Sequence, residues 1–429
     1  MSTPATGPTI IEAVVDRPAH GGESIALLDG RVILVRGAIP GERVRIELDD
    51  ADAKLWRGQA VEILDASPHR IDPVCEAAAA GAGCCDLGFV DPAYAVELKR
   101  DVLFDALRRI GRFDADELPE PTLTALDPAT GWRTRVRLGV DDTGRAGLRK
   151  RRSRELVVGH DCAQNVPGLT DGLGEPGAVP AGGELHVVHD ADGNRHVLHV
   201  IGAGRKRRVT QVEGSDTAVE RVDGREFQVP VDGFWQAHSA AAGHYVSRIR
   251  ELLPETPGGR AWDLYGGVGV LATALADLVG PDGTVTSVES FARSAAVGRA
   301  ALSDLPVDFG TGRVETVVAK LGHAVDLVVL DPPRTGAGAK TIHAIAAARP
   351  RKVLHIGCDP ATFARDARTW ADNGYRIDAL DVIDAFPGTH HLETISVLTL
   401  TRKANAPTAP HTATRRQALV TRRGRHPYY

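Results

Sequence analysis

Ala261-Trp262-Asp263-Leu264-Tyr265-Gly266-Gly267-Val268-Gly269 joins a short apolar run to a glycine-rich turn. This is the form of a strand that hands over to a nucleotide-binding turn and a helix. Glycines there let the backbone approach a ligand closely, and the helix that follows begins with its amides facing the pocket. Glu289 ends the next β-rich run, twenty residues beyond Gly269, where a carboxylate can accept both hydroxyls of a ribose. That spacing alone does not separate NAD from S-adenosylmethionine (SAM). The chain has no Gly-x-Gly-x-x-Gly here, and its glycines are fewer than a pyrophosphate requires, which favours a nucleoside cofactor without phosphates. The plain alternative is a turn that serves only packing.

Outward from this turn the rhythm is strand then helix. Ala241, Tyr245, Ile249 and Leu252 fall at helical spacing, so a helix is predicted over 241–253, ahead of the first strand. Strands are predicted at 260–265, 284–289, 326–331 and 352–357, with helical segments between, which indicates a doubly wound parallel sheet. Tyr375 to Asp384 and Leu392 to Thr401 read as two further strands with no helix between them. Residues 8–65 read instead as a small β-barrel of five or so short strands, with hairpin signals at Asp29-Gly30 and Pro40-Gly41, a form common among oligonucleotide-binding folds. Between them, 66–235 holds one helical stretch (Ala93 to Arg109) and alternating segments such as 134–140 and 184–189, predicting a mainly antiparallel β domain. The transferase-like domain then spans 236–402, and 403–429 is predicted to be a basic flexible tail.

With 429 residues, 43% of them apolar, the chain has ample material for two or three packed cores. No stretch approaches the roughly 20 apolar residues that span a bilayer, and the opening residues lack the features of a secretory signal. A cytoplasmic enzyme without a membrane partner is expected, and nothing demands an obligate protein partner. Five cysteines fit a reducing compartment rather than a disulfide framework. The net charge of −5 does not by itself suggest nucleic acid. Its distribution does: Arg149-Lys150-Arg151-Arg152 with Arg154, Arg205-Lys206-Arg207-Arg208, and six Lys/Arg without an acid from Lys403 onward can form local phosphate-binding surfaces.

Two further segments carry chemistry. Asp326-Leu327-Val328-Val329-Leu330-Asp331-Pro332-Pro333-Arg334 has an acid-Pro-Pro tip, whose stiffened turn projects polar groups toward a reacting base. Cys358 ends the apolar run 353–356 and opens Gly357-Cys358-Asp359-Pro360-Ala361-Thr362, setting a small thiol at a strand tip. Gly357 to Asp366, followed by Phe386-Pro387-Gly388-Thr389-His390-His391-Leu392-Glu393, resembles the SAM-dependent RNA 5-methyluridine (uracil-C5) methyltransferases, whose pattern is Cys-Asn-Pro-Ala-Thr-x-x-Arg-Asp and then Phe-Pro-x-Thr-x-His-x-Glu. Phe234-Trp235-Gln236 resembles their Phe-x-Gln element, and residues 8–65 resemble the TRAM domain, an OB-like RNA-binding barrel that many members carry. Trp132-Arg133-Thr134-Arg135-Val136-Arg137 and Gly147-Leu148-Arg149 match their central domain less strictly.

The resemblance implies a Rossmann-like class I methyltransferase domain that uses SAM on a tRNA or rRNA loop. It implies Cys358 as the nucleophile at uracil C6 and Glu393 as the base that removes the C5 proton. Gln236, Tyr265, Glu289 and Asp331 would line the SAM site. A second reading is methylation of another base, cytosine C5 or an adenine amino group; the absence of a cysteine after Asp331-Pro332 and of an aromatic at Arg334 speaks against each. A third is a non-catalytic RNA-binding protein, which predicts loss of Cys358, Glu289 or Glu393.

The chain departs from the family in two places. Many members bind a 4Fe-4S cluster through Cys-x5-Cys-x2-Cys and a distant fourth cysteine. Cys75, Cys85 and Cys162 fit three of those ligands, but the remaining one falls at Ala82 and the available thiol is the vicinal Cys84. Neighbouring residues are expected to point apart, so the spacing argues against a cluster and for packing cysteines; no metal is expected. Asp359 replaces the usual Asn, and a carboxylate beside Cys358 is expected either to raise the thiol pKa and slow attack or to hydrogen-bond a substrate group.

Overall fold

The computed structural model describes residues 8–322 and 324–401; the segment 403–429 predicted as a flexible tail lies outside the described residues, as does Arg402. Strands Ile10–Ala19, Glu23–Leu28, Arg31–Arg36, Arg43–Leu48 and Trp56–Asp65 close into a barrel. Arg43-Val44-Arg45-Ile46-Glu47-Leu48 alternates exposed and buried, so its apolar side chains fill the barrel while its charges face water. Asp29 and Gly30 both have positive φ, the backbone that a two-residue hairpin turn needs to match strand twist.

The central sheet is antiparallel throughout, in the order Arg208–Glu213, Arg195–Ile201, Glu184–His189, Arg135–Val140, Ala146–Arg149, Leu156–Val158. A separate hairpin, Thr217–Val222 with Arg225–Pro230, packs its Phe227 and Val229 into the core of the third unit.

That third unit is an eight-stranded sheet in the order Val307–Thr311, Thr284–Glu289, Arg260–Leu264, Leu327–Leu330, Lys352–Gly357, Glu393–Leu400, Tyr375–Asp384, Thr122–Ala125. Only Glu393–Leu400 runs antiparallel to its neighbours. Leu327-Val328-Val329-Leu330 is buried on both faces, and its residues divide between two cores as parallel strands require. One core takes Ala241–Leu252 and Val270–Val279; the other takes Gly338–Ala347, Pro360–Asp372 and Pro92–Arg109. This is the predicted doubly wound architecture. Among the described residues no helix is long and apolar enough to cross a membrane.

Two parts of the sheet escaped the sequence reading. Val307–Thr311 is an incompletely buried edge strand whose Val-Asp-Phe-Gly-Thr composition gives little β signal. Thr122–Ala125, within the section assigned to the central domain, pairs in parallel with Tyr375–Asp384, and the preceding helix Pro92–Arg109 packs its Leu103 and Leu107 with Phe363 and Trp370. Four residues are too few to carry a periodic signal, and their partner comes from the far end of the chain.

One buried ion pair fastens this helix to the sheet. Lys99, almost fully buried, donates from Nζ to Asp384 Oδ1 at 2.5 Å and to the Phe386 carbonyl at 3.3 Å. Breaking such a pair leaves an uncompensated buried carboxylate. Lys99→Met is expected to destabilise the protein by about 3–5 kcal/mol in denaturant unfolding; a loss under ~1 kcal/mol would show that Asp384 finds another partner.

Candidate active site

The carboxyl ends of adjacent parallel strands converge where the strand order reverses, between Arg260–Leu264 and Leu327–Leu330. Tyr265 directly follows the first of these in the left-handed region (φ +62°), an uncommon backbone for an aromatic residue that turns the chain sharply into the glycines. Gly266 is required by space: a Cβ would lie 2.2 Å from Ser287 Oγ and 2.3 Å from Asp263 Oδ2. Glu289 accepts from the Gly267 amide at 3.0 Å and the Phe291 amide at 2.6 Å, so its carboxylate is held at the strand tip. Asp331 accepts from Gln236 Nε2 at 3.3 Å, and burial together with Asp263 pushes its carboxyl up to about 7. Asp263, fully buried behind the turn, is likewise raised by burial to about 7 while Ser287 donates to it at 2.8 Å.

A cavity of about 1090 Å³ fills this crevice, and all six residues singled out from the sequence line it: Gln236, Tyr265, Glu289, Asp331, Cys358 and Glu393. The last two meet through strand register. Gly357 pairs with Thr394 in the antiparallel ladder, so the next step sets Cys358 opposite Glu393. Burial pushes the Cys358 thiol up to about 12, with the Glu393 and Asp331 carboxylates adding to the rise and Arg334 opposing it. Glu393 is 5% exposed, and its Oε2 has no hydrogen-bond partner among the described residues. Burial and the neighbouring Asp331 raise its pKa well above the ordinary carboxylic range, while Arg334 again opposes. An unpaired buried carboxyl facing a cavity beside a thiol is an arrangement for proton transfer.

Asp359 does not act as the sequence suggested. It caps the helix Pro360–Asp372, accepting from the Thr362 amide at 2.8 Å, and its other oxygen meets His20 Nε2 of the barrel at 3.1 Å. The His20 contact leads in holding its carboxyl down to about 2. The rise at Cys358 therefore comes from burial, Glu393 and Asp331 rather than from its chain neighbour. Arg334, noted in the sequence only as a missing aromatic, lines the cavity, and its charge opposes the rise at both Cys358 and Glu393. Arg133, Arg137 and the exposed Phe234 also line the cavity; their positions in the central motif and the Phe-x-Gln element were the available signal.

The segment 386–391 before Glu393 is held from outside. Leu87 donates its amide to Gly388 O at 3.0 Å, Gln164 Nε2 reaches Pro387 O at 3.5 Å and Cys84 O at 3.1 Å, and Asp86 binds the His390 amide at 2.9 Å and its ring. His390 is thus structural. His391 lines the cavity, and burial, with His390 and Arg334, lowers it to about 3. The cysteines expected to be dispersed are not: the Sγ atoms of Cys75, Cys84, Cys85 and Cys162 all lie within 4.8 Å of one another. A turn bridged at Ala82 to Lys150 folds the segment back, so both vicinal thiols reach one centre. The basic run near 150 is partly consumed by contacts within the protein: Arg151 donates to Gly21 O at 2.6 Å and Lys150 pairs with Glu155 at 2.7 Å.

A doubly wound sheet with an antiparallel strand next to its fifth, and a crevice with the Glu289 carboxylate held at a strand tip, defines a class I methyltransferase fold. A family model described as tRNA (Uracil-5-)-methyltransferase matches residues 313–402. An uncharacterized RNA methyltransferase of Corynebacterium glutamicum is 48% identical, over 90% of this chain and 96% of that protein. The 23S rRNA (uracil(1939)-C(5))-methyltransferase RlmD of Methylococcus capsulatus is 30% identical, over 90% of this chain and 96% of that protein. The structure of Pyrococcus abyssi tRNA (uracil-54, C5)-methyltransferase in complex with S-adenosyl-L-homocysteine shares the fold, with a TM-score of 0.66 and 19% identity over 91% of this chain and 100% of that one. The chain belongs to the RNA uracil-C5 methyltransferase family.

The raised thiol gives a direct test in the free protein. Alkylation at Cys358, followed by peptide mass spectrometry, should keep accelerating about tenfold per pH unit beyond the point near 8.5 where an ordinary thiol levels off. A plateau at or below that point would mean that the resting thiol is not held protonated.

Proposed function

We propose that the protein transfers a methyl group from SAM to C5 of a uridine in a tRNA or rRNA loop. Cys358 is the nucleophile and Glu393 the base, while Gln236, Tyr265, Glu289 and Asp331 bind the methyl donor. The observation that carries this reading is that Cys358 stands opposite Glu393 in the cavity that Glu289 also lines. Uracil C5 is a poor nucleophile toward a sulfonium methyl. The Cys358 thiolate adds to C6, and the displaced electron pair makes an enolate that is nucleophilic at C5. C5 takes the methyl group and S-adenosylhomocysteine is released. Glu393 then removes the remaining C5 proton, the C5–C6 double bond re-forms and the thiolate leaves.

The resting thiol is protonated, so the reading requires that binding activate it. A bound cationic donor would offset the Asp331 and Glu393 carboxylates that raise the Cys358 thiol, and Arg334 already opposes that rise. The target base must leave its stack to reach Cys358, which favours a loop over a duplex. The barrel (8–65) and the central sheet within 66–235 act in this reading as the RNA-contacting units of a cytoplasmic enzyme. Arg133, Arg137 and Phe234 at the cavity rim suit phosphate contact and base stacking.

Incubation with SAM and unmodified total RNA should yield 5-methyluridine by nucleoside mass spectrometry, and Cys358→Ala should yield none. Wild type should be trapped covalently by 5-fluorouracil-containing RNA, and the alanine variant should remain free. Absence of 5-methyluridine above the Cys358→Ala background would sink the proposal. Glu393→Gln should lower turnover by roughly 100–10,000-fold, the range for loss of a general base, while still accumulating a methylated protein–RNA adduct on ordinary RNA. Unchanged turnover would remove Glu393 from the role.

A further inference from the structure

The four early cysteines stand apart from the cavity and play no part in methyl transfer. Cys75 begins the short helix Glu76–Ala79, Cys84 and Cys85 follow the turn after it, and Cys162 arrives from the central domain. Their sulfurs are close: 3.7 Å from Cys75 to Cys84, 4.0 Å from Cys75 to Cys162, and 4.0 Å from Cys85 to Cys162. With metal–sulfur bonds of about 2.3 Å, a tetrahedral ion sets its four sulfurs about 3.8 Å apart. A four-iron cluster differs, because each thiolate sits on its own iron at a separate corner of a cube of four irons and four sulfides. The sulfurs then surround that whole core and stand well beyond a single tetrahedron's edge. The largest separation here, 4.8 Å, leaves room for one ion and not for a cube. The family's cluster therefore does not fit this cysteine set.

We propose that Cys75, Cys84, Cys85 and Cys162 bind one zinc ion in all-sulfur tetrahedral coordination. The surroundings suit thiolates. The Ala78 amide donates to Cys75 Sγ at 3.4 Å, the Ala163 amide also serves Cys75, and the Gln164 amide serves Cys162. Backbone donors of this kind orient metal-bound ligands and take up part of their charge. Four thiolates and a divalent ion leave a net negative site. The part-buried Arg133 stands close enough to Cys84, Cys85 and Cys162 for their charges to act on its guanidinium. Small apolar residues, Ala77, Ala82 and Val157, close the site from water. A redox-inert ion there works as a clamp. It joins the segment 75–88 to the central domain through Cys162, and Asp86, Leu87 and Gln164 pass that rigidity to the segment 386–391 ahead of Glu393.

The test is elemental analysis of the full-length protein purified without oxygen, with acid-labile sulfide measured alongside. One zinc per chain is expected, with no sulfide and no visible absorption, and X-ray absorption at the zinc edge should show four sulfurs at about 2.3 Å. Cys84→Ser and Cys162→Ser should each lose the bound zinc, whereas Cys358→Ser should keep it. Iron with stoichiometric sulfide would overturn the proposal in favour of a cluster. Reduced, folded protein without metal would overturn it outright, and zinc retained by Cys84→Ser would overturn the four-cysteine assignment. None of these readings depends on methyl transfer.

Discussion

The strand Glu393–Leu400 runs against Lys352–Gly357 on one side and Tyr375–Asp384 on the other, and the chemistry of the site follows from that insertion. A parallel strand in that place would bring another carboxyl end to the crevice. The antiparallel one brings an amino end, so the residue that starts it, Glu393, faces the residue that follows its neighbour, Cys358. Backbone pairing therefore brings together an acid and a thiol 35 positions apart in the chain. Because strand register is discrete, a slip of one residue would turn the carboxylate to the other face.

This closeness has an electrostatic consequence. Asp263, Asp331 and Glu393 are gathered at one strand-end crevice, and burial raises all three. Cys358 shares the field and is held as a thiol. Like-charged carboxylates held this close disfavour one another's ionisation, and Arg334 offsets this beside Cys358 and Glu393. A cationic ligand would favour the ionised forms of these acids, which fits the proposed donor.

The loop that leads into Glu393 is braced from the helix Pro92–Arg109 and from the cysteine segment, while the barrel meets the residue after Cys358. Lys99 of the helix Pro92–Arg109 binds Asp384 and Phe386 O, the cysteine segment holds Gly388 and His390, and the barrel reaches Asp359 through His20. The barrel and the cysteine-bearing segment are thus connected by polar contacts to the chain around Cys358 and Glu393.

Much of this was legible in the chain. Helix and strand periodicity predicted the doubly wound sheet, the Asp-Gly turn and alternating strands predicted the barrel, and the ordered motifs around Gln236, Tyr265, Glu289, Asp331, Cys358 and Glu393 pointed to one crevice. Local pattern carries such information because side-chain period and turn backbone are set by adjacent residues. The tertiary structure decided the rest. It put Thr122–Ala125 and Pro92–Arg109 on the methyltransferase sheet, gave Asp359 a barrel histidine as partner, set the charge of Arg334 near both Cys358 and Glu393, and drew two adjacent thiols to a single centre. Each of these depends on which distant segment arrives beside a residue and on how far water is excluded there, and neither is written in the spacing of neighbours.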